Sequence, residues 1–157
     1  MPDGEQQQFW SDLRVGETLA SASIVIEKDD IFEFAKAFDP QPYHLDQEAG
    51  DNSIFGGLCA SGWHVTAIMM RLLSDAFQDA GIDLLGSNAV PAITWRKPVL
   101  AGDALSASFT LAELRTGEDH RFGLVDCDID VANQDGVSVM FLTATLMVAN
   151  KVEVEVG

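Results

Sequence analysis

With 157 residues, 47% of them hydrophobic, the chain suits one globular domain with a sizeable core and is too apolar for disorder. Its formal net charge is −16, with only nine Lys and Arg, which argues against a nucleic-acid partner because such binding needs a basic surface. Any phosphate-bearing ligand must find a local cationic patch within a repulsive field.

The opening MPDGEQQQFW has neither the basic patch nor the apolar stretch of a signal peptide. No apolar run reaches the length of a membrane span, so the expectation is a soluble, cytoplasmic protein without a membrane partner. Cys59 and Cys127 form neither a disulfide framework nor a zinc spacing, and both read as small core residues. No repeat and no linker divides residues 1–157, which are read as one domain.

In chain order, 18–26 (TLASASIVI) holds a β-branched run and reads as a first strand. Asp30 with Glu33 fits an acidic capping box, and Ile31, Phe34, Ala35 and Phe38 recur at helical spacing. Pro40 stops that helix, because the residue before a proline is pushed out of the α region. Asp39 therefore sits at the frayed helix end, and His44 follows on a loop stiffened by Pro40 and Pro42.

After the turn-rich LDQEAGDNSIFGG comes the strongest helix, about Gly62 to Ala80, with Gly81 as terminator. Its first half, WHVTAIMMRLL, is apolar nearly all round, which predicts burial on most sides. Strands follow. AITWRKPVL is one. LSASFTL places Leu105, Ala107, Phe109 and Leu111 on one face. VDCDIDV turns Val125, Cys127, Ile129 and Val131 inward and Asp126, Asp128 and Asp130 outward. VSVMFLTATLMV is apolar on both faces, as in a central strand. The turn signals AGD, TGED and NQDG separate them. This order predicts an α+β fold in which one antiparallel sheet wraps a long central helix. The sheet covers one side of the helix, and the other side and the sheet edge suggest a partner subunit.

The chemistry concentrates in FDPQPYH. Fully extended, five residues span about 17 Å, but a bend with two prolines brings Asp39 and His44 within reach of each other. A carboxylate beside an imidazole can hold a water and exchange protons with it near neutral pH. A capping aspartate and a hydrogen-bonded loop histidine would look the same in sequence. SGWH adds a second feature. Unpaired N–H groups at a helix N-terminus stabilise negative charge, and Gly62 admits a ligand oxygen close to its N–H. That is an oxyanion site in outline; close helix packing is the competing explanation.

Ser61 with His64 could be imagined as nucleophile and base, but no third orienting group is apparent, so His64 is read as capping or packing. His120, in TGEDHR, is read as solvated. Arg96 and Lys97 form the densest basic pair and are candidates for the phosphates of a bound carrier, or simply a solvated strand end. Arg71, in an apolar helix stretch, must pair with an acid or reach the surface.

These residues resemble the MaoC-like acyl dehydratases, relatives of the (R)-specific enoyl-CoA hydratases. The resemblance runs from FWSDLRVGET through DDIFEFAKAFDPQPYHLD and IFGGLCASGWHVTAIMMRLL to WRKPVLAGDAL. Asp39-Pro40-Gln41-Pro42-Tyr43-His44, with Gly62 downstream, matches the family's Asp-x-Asn-Pro-aliphatic-His motif in order and spacing. Gln41 stands where Asn is usual, Tyr43 where an aliphatic residue is usual, and SGWH in place of a usual His-Gly-Met.

The resemblance implies a hot-dog fold, a homodimer or higher homo-oligomer, and reversible hydration of a trans-2-enoyl-CoA to an (R)-3-hydroxyacyl-CoA. It assigns Asp39, His44 and Gly62 to catalysis. It sets Gln41, Tyr43 and Ser61 at the substrate, with Met70 and Leu73 lining the acyl pocket. No metal and no separate cofactor is implied; coenzyme A enters as part of the substrate. Two rivals remain at this level: a hot-dog acyl-CoA thioesterase, and a non-catalytic subunit that binds an acyl thioester or completes a partner's site.

Overall fold

The computed structural model describes residues 7–151, so MPDGEQ at the start and 152–157 at the end of the chain fall outside it. Six strands form an antiparallel sheet in the order β1-β4-β5-β6-β3, with β2 beside β4. They are β1 (Thr18–Ala20), β2 (Ile24–Val25), β3 (Leu84–Trp95), β4 (Ala104–Thr116), β5 (Phe122–Ala132) and β6 (Ser138–Ala149). The helices are α1 (Lys28–Phe38), α2 (Pro42–Leu45), α3 (Gln47–Asp51) and the long α4 (Gly62–Asp79). The fold is the expected hot dog, a sheet curled around α4.

The alternating strands behave as their pattern dictates. Leu105, Phe109 and Leu111 of β4 and Val125, Cys127, Ile129 and Val131 of β5 are fully buried. β6 lies between β5 and β3 as expected of a central strand, but it is not apolar on both faces: Ser138, Thr143 and Thr145 donate to Asp130, Asp128 and Asp126 of β5. Against this inner surface α4 packs Val65, Met69, Leu72, Leu73, Ala76 and Phe77, with Phe77 meeting Phe109 edge-on at 5.9 Å. Gly81 ends the helix at φ 76°, in the left-handed region that glycine enters without strain.

Four expectations shift. The single strand over 18–26 is broken into β1 and β2, because the Ser21 hydroxyl accepts the Ala107 N–H that would otherwise continue the ladder. Helix α1 begins earlier than the Asp30–Glu33 pairing predicts: Asp30 is the third helical residue, and its Oδ2 accepts from the Glu27 N–H at 3.3 Å. The strand read as AITWRKPVL starts at Leu84 and stops at Trp95, where the N–H groups of Arg96 and Lys97 both turn to the Val139 carbonyl. Val99 and Leu100 then pair with the 59–60 segment instead. Lastly, α4 is not buried on most sides within one chain: Trp63 is 60% and Met70 45% exposed.

Two of these features place the site. The Cys59–Ala60 segment, held against Val99 and Leu100, delivers the start of α4 to the end of β3. The α1–α2 corner then folds over that point.

Candidate active site

Phe38 is the last residue of α1, and Asp39 leaves the helix at φ −149°, ψ 71° with its N–H still bonded to Ala35 O at 2.9 Å. This is the conformation a following proline favours. Pro42 then starts α2 at the first helical position, where a missing N–H costs nothing. His44 therefore sits in a helical turn rather than on the expected loop, its N–H bonded to Gln41 O at 3.0 Å. The two turns bring His44 Nε2 to 3.4 Å from Asp39 Oδ2.

The imidazole is 6% exposed and the carboxylate 27%, so the pair is sheltered yet open on the aspartate side. His44 Nδ1 stands 2.6 Å from the Cys59 carbonyl oxygen. A carbonyl can only accept, so Nδ1 carries a proton in either charge state of the ring. That leaves Nε2 as the ring nitrogen turned to Asp39. Cys59 Sγ is 3.7 Å from Nδ1, and burial pushes its pKa up, so it stands there as a thiol and not as a nucleophilic thiolate. Tyr43 packs edge-on against the His44 ring at 4.4 Å and against Phe55 at 5.2 Å, fixing the imidazole from its outer side.

The dyad opens into a cavity of about 380 Å³ whose walls include Tyr43, Ser61, Gly62, Arg96 and Lys97, with Val65, Val99 and Val139 as its apolar part. Ser61 precedes the first turn of α4, and its buried Oγ has no hydrogen-bond partner among the described residues. Gly62 lies directly under the Trp95 indole: a Cβ there would come within 2.9 Å of it. The close-packing explanation for Gly62 is thus physically present, alongside the open helix end.

Not every expected residue gathers here. Gln41 is exposed and lies outside the cavity wall; its backbone, not its amide, braces the corner. Leu73 is 1% exposed within the core and Met70 points away on the outer side of α4, so neither lines this cavity. An acyl-pocket role for those two residues has no geometric support in the single chain.

The basic pair divides. Arg96 Nη1 donates to Ser138 Oγ at 3.1 Å and its guanidinium lies 5.2 Å over the Phe141 ring. Lys97 has no polar side-chain partner among the described residues.

The remaining histidines and Arg71 follow their bland readings. His64 stacks on Phe34 at 4.6 Å, its ring makes no bond to the Ser61 hydroxyl, and burial pushes its pKa down against the opposing pull of Asp30. His120 is 80% exposed beside Asp119. Arg71 pairs with Asp75 at 3.0 Å on the surface. Sequence reasoning missed Trp63, Trp95, Phe55 and Cys59 as cavity walls. For Trp95 the signal was available in its place beside Arg96, but the face a strand-end residue takes is set by pairing, here with Met140.

The profile of the MaoC-like domain matches residues 12–132. The chain belongs to this family. It is 32% identical over 128 residues to uncharacterized protein YdeM of Bacillus subtilis, a match covering 80% of this chain and 87% of that protein. It superposes on a MaoC-like dehydratase from Rhodospirillum rubrum with a TM-score of 0.80 at 38% identity, over 93% of this chain and 99% of that one. The fold is shared with (R)-hydratase PhaJ1 from Pseudomonas aeruginosa at a TM-score of 0.65 and 23% identity, over 93% and 90% of the two chains.

Proposed function

We propose that this MaoC-like protein catalyses the reversible addition of water to a trans-2-enoyl-CoA, giving an (R)-3-hydroxyacyl-CoA. The observation that carries the reading is the Asp39–His44 pair at 3.4 Å with its second ring nitrogen fixed on the Cys59 carbonyl. The (R) configuration is taken from the family resemblance and from the likeness of the fold to (R)-hydratase PhaJ1.

In the hydration direction, Asp39 and His44 Nε2 share a water. Its oxygen bonds to C3 as its proton passes to the dyad. The π electrons of C2=C3 shift toward the thioester, and negative charge grows on the thioester oxygen. The open N–H groups at the start of α4 face that charge, aided by the helix dipole. A proton from the dyad then bonds to C2, so the dyad returns to its starting state. Dehydration is the same path reversed.

Lys97 at the cavity wall would meet the carrier's phosphates, with Arg96 contributing less because it is already engaged. A second copy of the chain would cover the outer side of α4 and the exposed edge strand β3. The test is loss of enoyl-thioester absorbance with crotonyl-CoA and with longer and branched 2-enoyl-CoAs. Turnover that collapses in Asp39→Asn and His44→Ala supports the reading. Release of free thiol from saturated acyl-CoAs without hydration would replace it with a thioesterase.

A further inference from the structure

The Gly62 carbonyl is held from outside its own helix. Trp95 Nε1 donates to Gly62 O at 2.9 Å and also lies 3.3 Å from Thr66 Oγ1, which itself donates to Gly62 O at 2.9 Å. The indole covers the glycine closely enough that a Cβ would sit 2.9 Å from Cε2 and Nε1. Trp95 is fixed in turn at the end of β3, where it pairs with Met140, and Met140 Sδ takes a further contact from Thr66 Oγ1 at 3.4 Å.

That carbonyl and the N–H of Trp63 are opposite ends of one planar peptide group. Anchoring the oxygen therefore anchors the direction of the N–H. The next N–H along, that of His64, is already taken by Ser61 O at 2.9 Å. The groups left to meet a ligand at this end of the 18-residue helix are those of Gly62 and Trp63. Two donors on one carbonyl also polarise its amide and strengthen the N–H on the other side. The buried Ser61 hydroxyl beside them, unpartnered among the described residues, is an independent sign that this corner is completed by a ligand atom.

We propose that Trp95 is a positioning residue for the thioester carbonyl, holding the Gly62–Trp63 peptide so that the first turn of α4 aims its open N–H groups into the cavity. This rests on the hydratase reading above. Trp95→Phe keeps an aromatic ring over Gly62 and removes the donor. Because a whole oxyanion donor is worth about 10²- to 10³-fold, loss of its support should lower kcat by roughly 10-fold with KM little changed. Thr66→Val removes the second donor and should lower kcat by less, and the double variant should lose less than the product of the two. The ¹⁵N–¹H resonances of Gly62 and Trp63 should move in Trp95→Phe, while those of the remote strand β5 stay in place. A raised KM with kcat retained would reduce the indole to a cavity wall and overturn the proposal, as would unmoved Gly62 and Trp63 resonances. Should the wild type hydrate no enoyl thioester, the hydratase reading falls by itself, and the two amide resonances still decide whether Trp95 holds the peptide.

Discussion

His44 Nε2 stands 3.4 Å from Asp39 Oδ2, longer than the 2.7–2.9 Å of a strong charge-assisted hydrogen bond. The pair is close enough to share a guest and too far apart to satisfy each other. Each group keeps capacity for a third partner, which the hydratase reading supplies as water. Replacing Asp39 by Asn or His44 by Ala should lower kcat by about 10²- to 10⁴-fold. The double variant should be little worse than either single, since the two act on one water. Steady-state rates with a 2-enoyl-CoA check this; multiplicative losses would show two independent roles.

Ser61 offers a test in which stability and activity part company. Its hydroxyl is buried at 1% exposure with no partner among the described residues, an arrangement that costs folding free energy. Ser61→Ala removes the unsatisfied group and leaves little space behind. The melting temperature should hold or rise while kcat/KM falls by roughly 10-fold. Loss of both would make Ser61 a structural residue whose partner lies elsewhere.

How much of this was legible in the sequence depends on where packing does the deciding. Asp39 and His44 were legible because Pro40 and Pro42 dictate their backbone locally. Strands β4 and β5 were legible because one face is core and the other solvent, so alternation is written into them. Strand β3 was misplaced for the opposite reason: from Gly86 to Ala92 both faces are exposed, and no alternation marks them. Met70 and Leu73 were placed together at the acyl pocket by the family resemblance, and the first half of α4, apolar all round, offered nothing to tell them apart. Such a helix carries no phase to say which side meets the sheet, and the fold sends Leu73 into the core and Met70 outward.

His64 carries a pH dependence whose sign follows from burial. Burial pushes its pKa below the usual histidine value, with Asp30 opposing more weakly. The unfolded chain therefore binds more protons than the folded one between the depressed pKa and about 6.5. The stability contributed by neutral His64 is full above that range and is lost as pH falls through it. Asp30, on α1, moderates the loss and does not reverse it, and Glu33 shares the cavity wall with the ring. Melting temperatures from pH 5 to 8 should fall on the acid side in the wild type. The fall should be shallower in His64→Phe, which keeps the stack on Phe34; parallel curves would remove His64 as the source.

Lys97 and Arg96 should separate under mutation. Lys97 is without a polar side-chain partner among the described residues, whereas Arg96 is bonded to Ser138 and stacked on Phe141. Lys97→Ala should raise KM for a CoA thioester several-fold at low salt, with the difference shrinking at high ionic strength. Arg96→Ala should raise it less and lower the melting temperature instead. Equal, salt-sensitive KM effects would mean that Arg96 leaves Ser138 to meet the carrier.

Strand β3 makes the last prediction. It is an edge strand twelve residues long, with Leu85 and Val90 about half exposed, and its unpaired N–H and C=O groups form a template for another strand. Pro91 interrupts that row but does not charge it. On the same chain, Trp63 and Met70 present apolar surface on the outer side of α4. A second copy that pairs edge to edge would cover both surfaces at once, and isologous symmetry makes each chain supply the same strip. Light scattering on a sizing column should give a dimer for the wild type. Val90→Glu places a like charge on each copy across the symmetric contact and should shift the protein toward monomer without disturbing the core, since Val90 is not part of it. A wild type that runs as a monomer at micromolar concentration, or a Val90→Glu dimer as tight as the wild type, would put the partner on another surface.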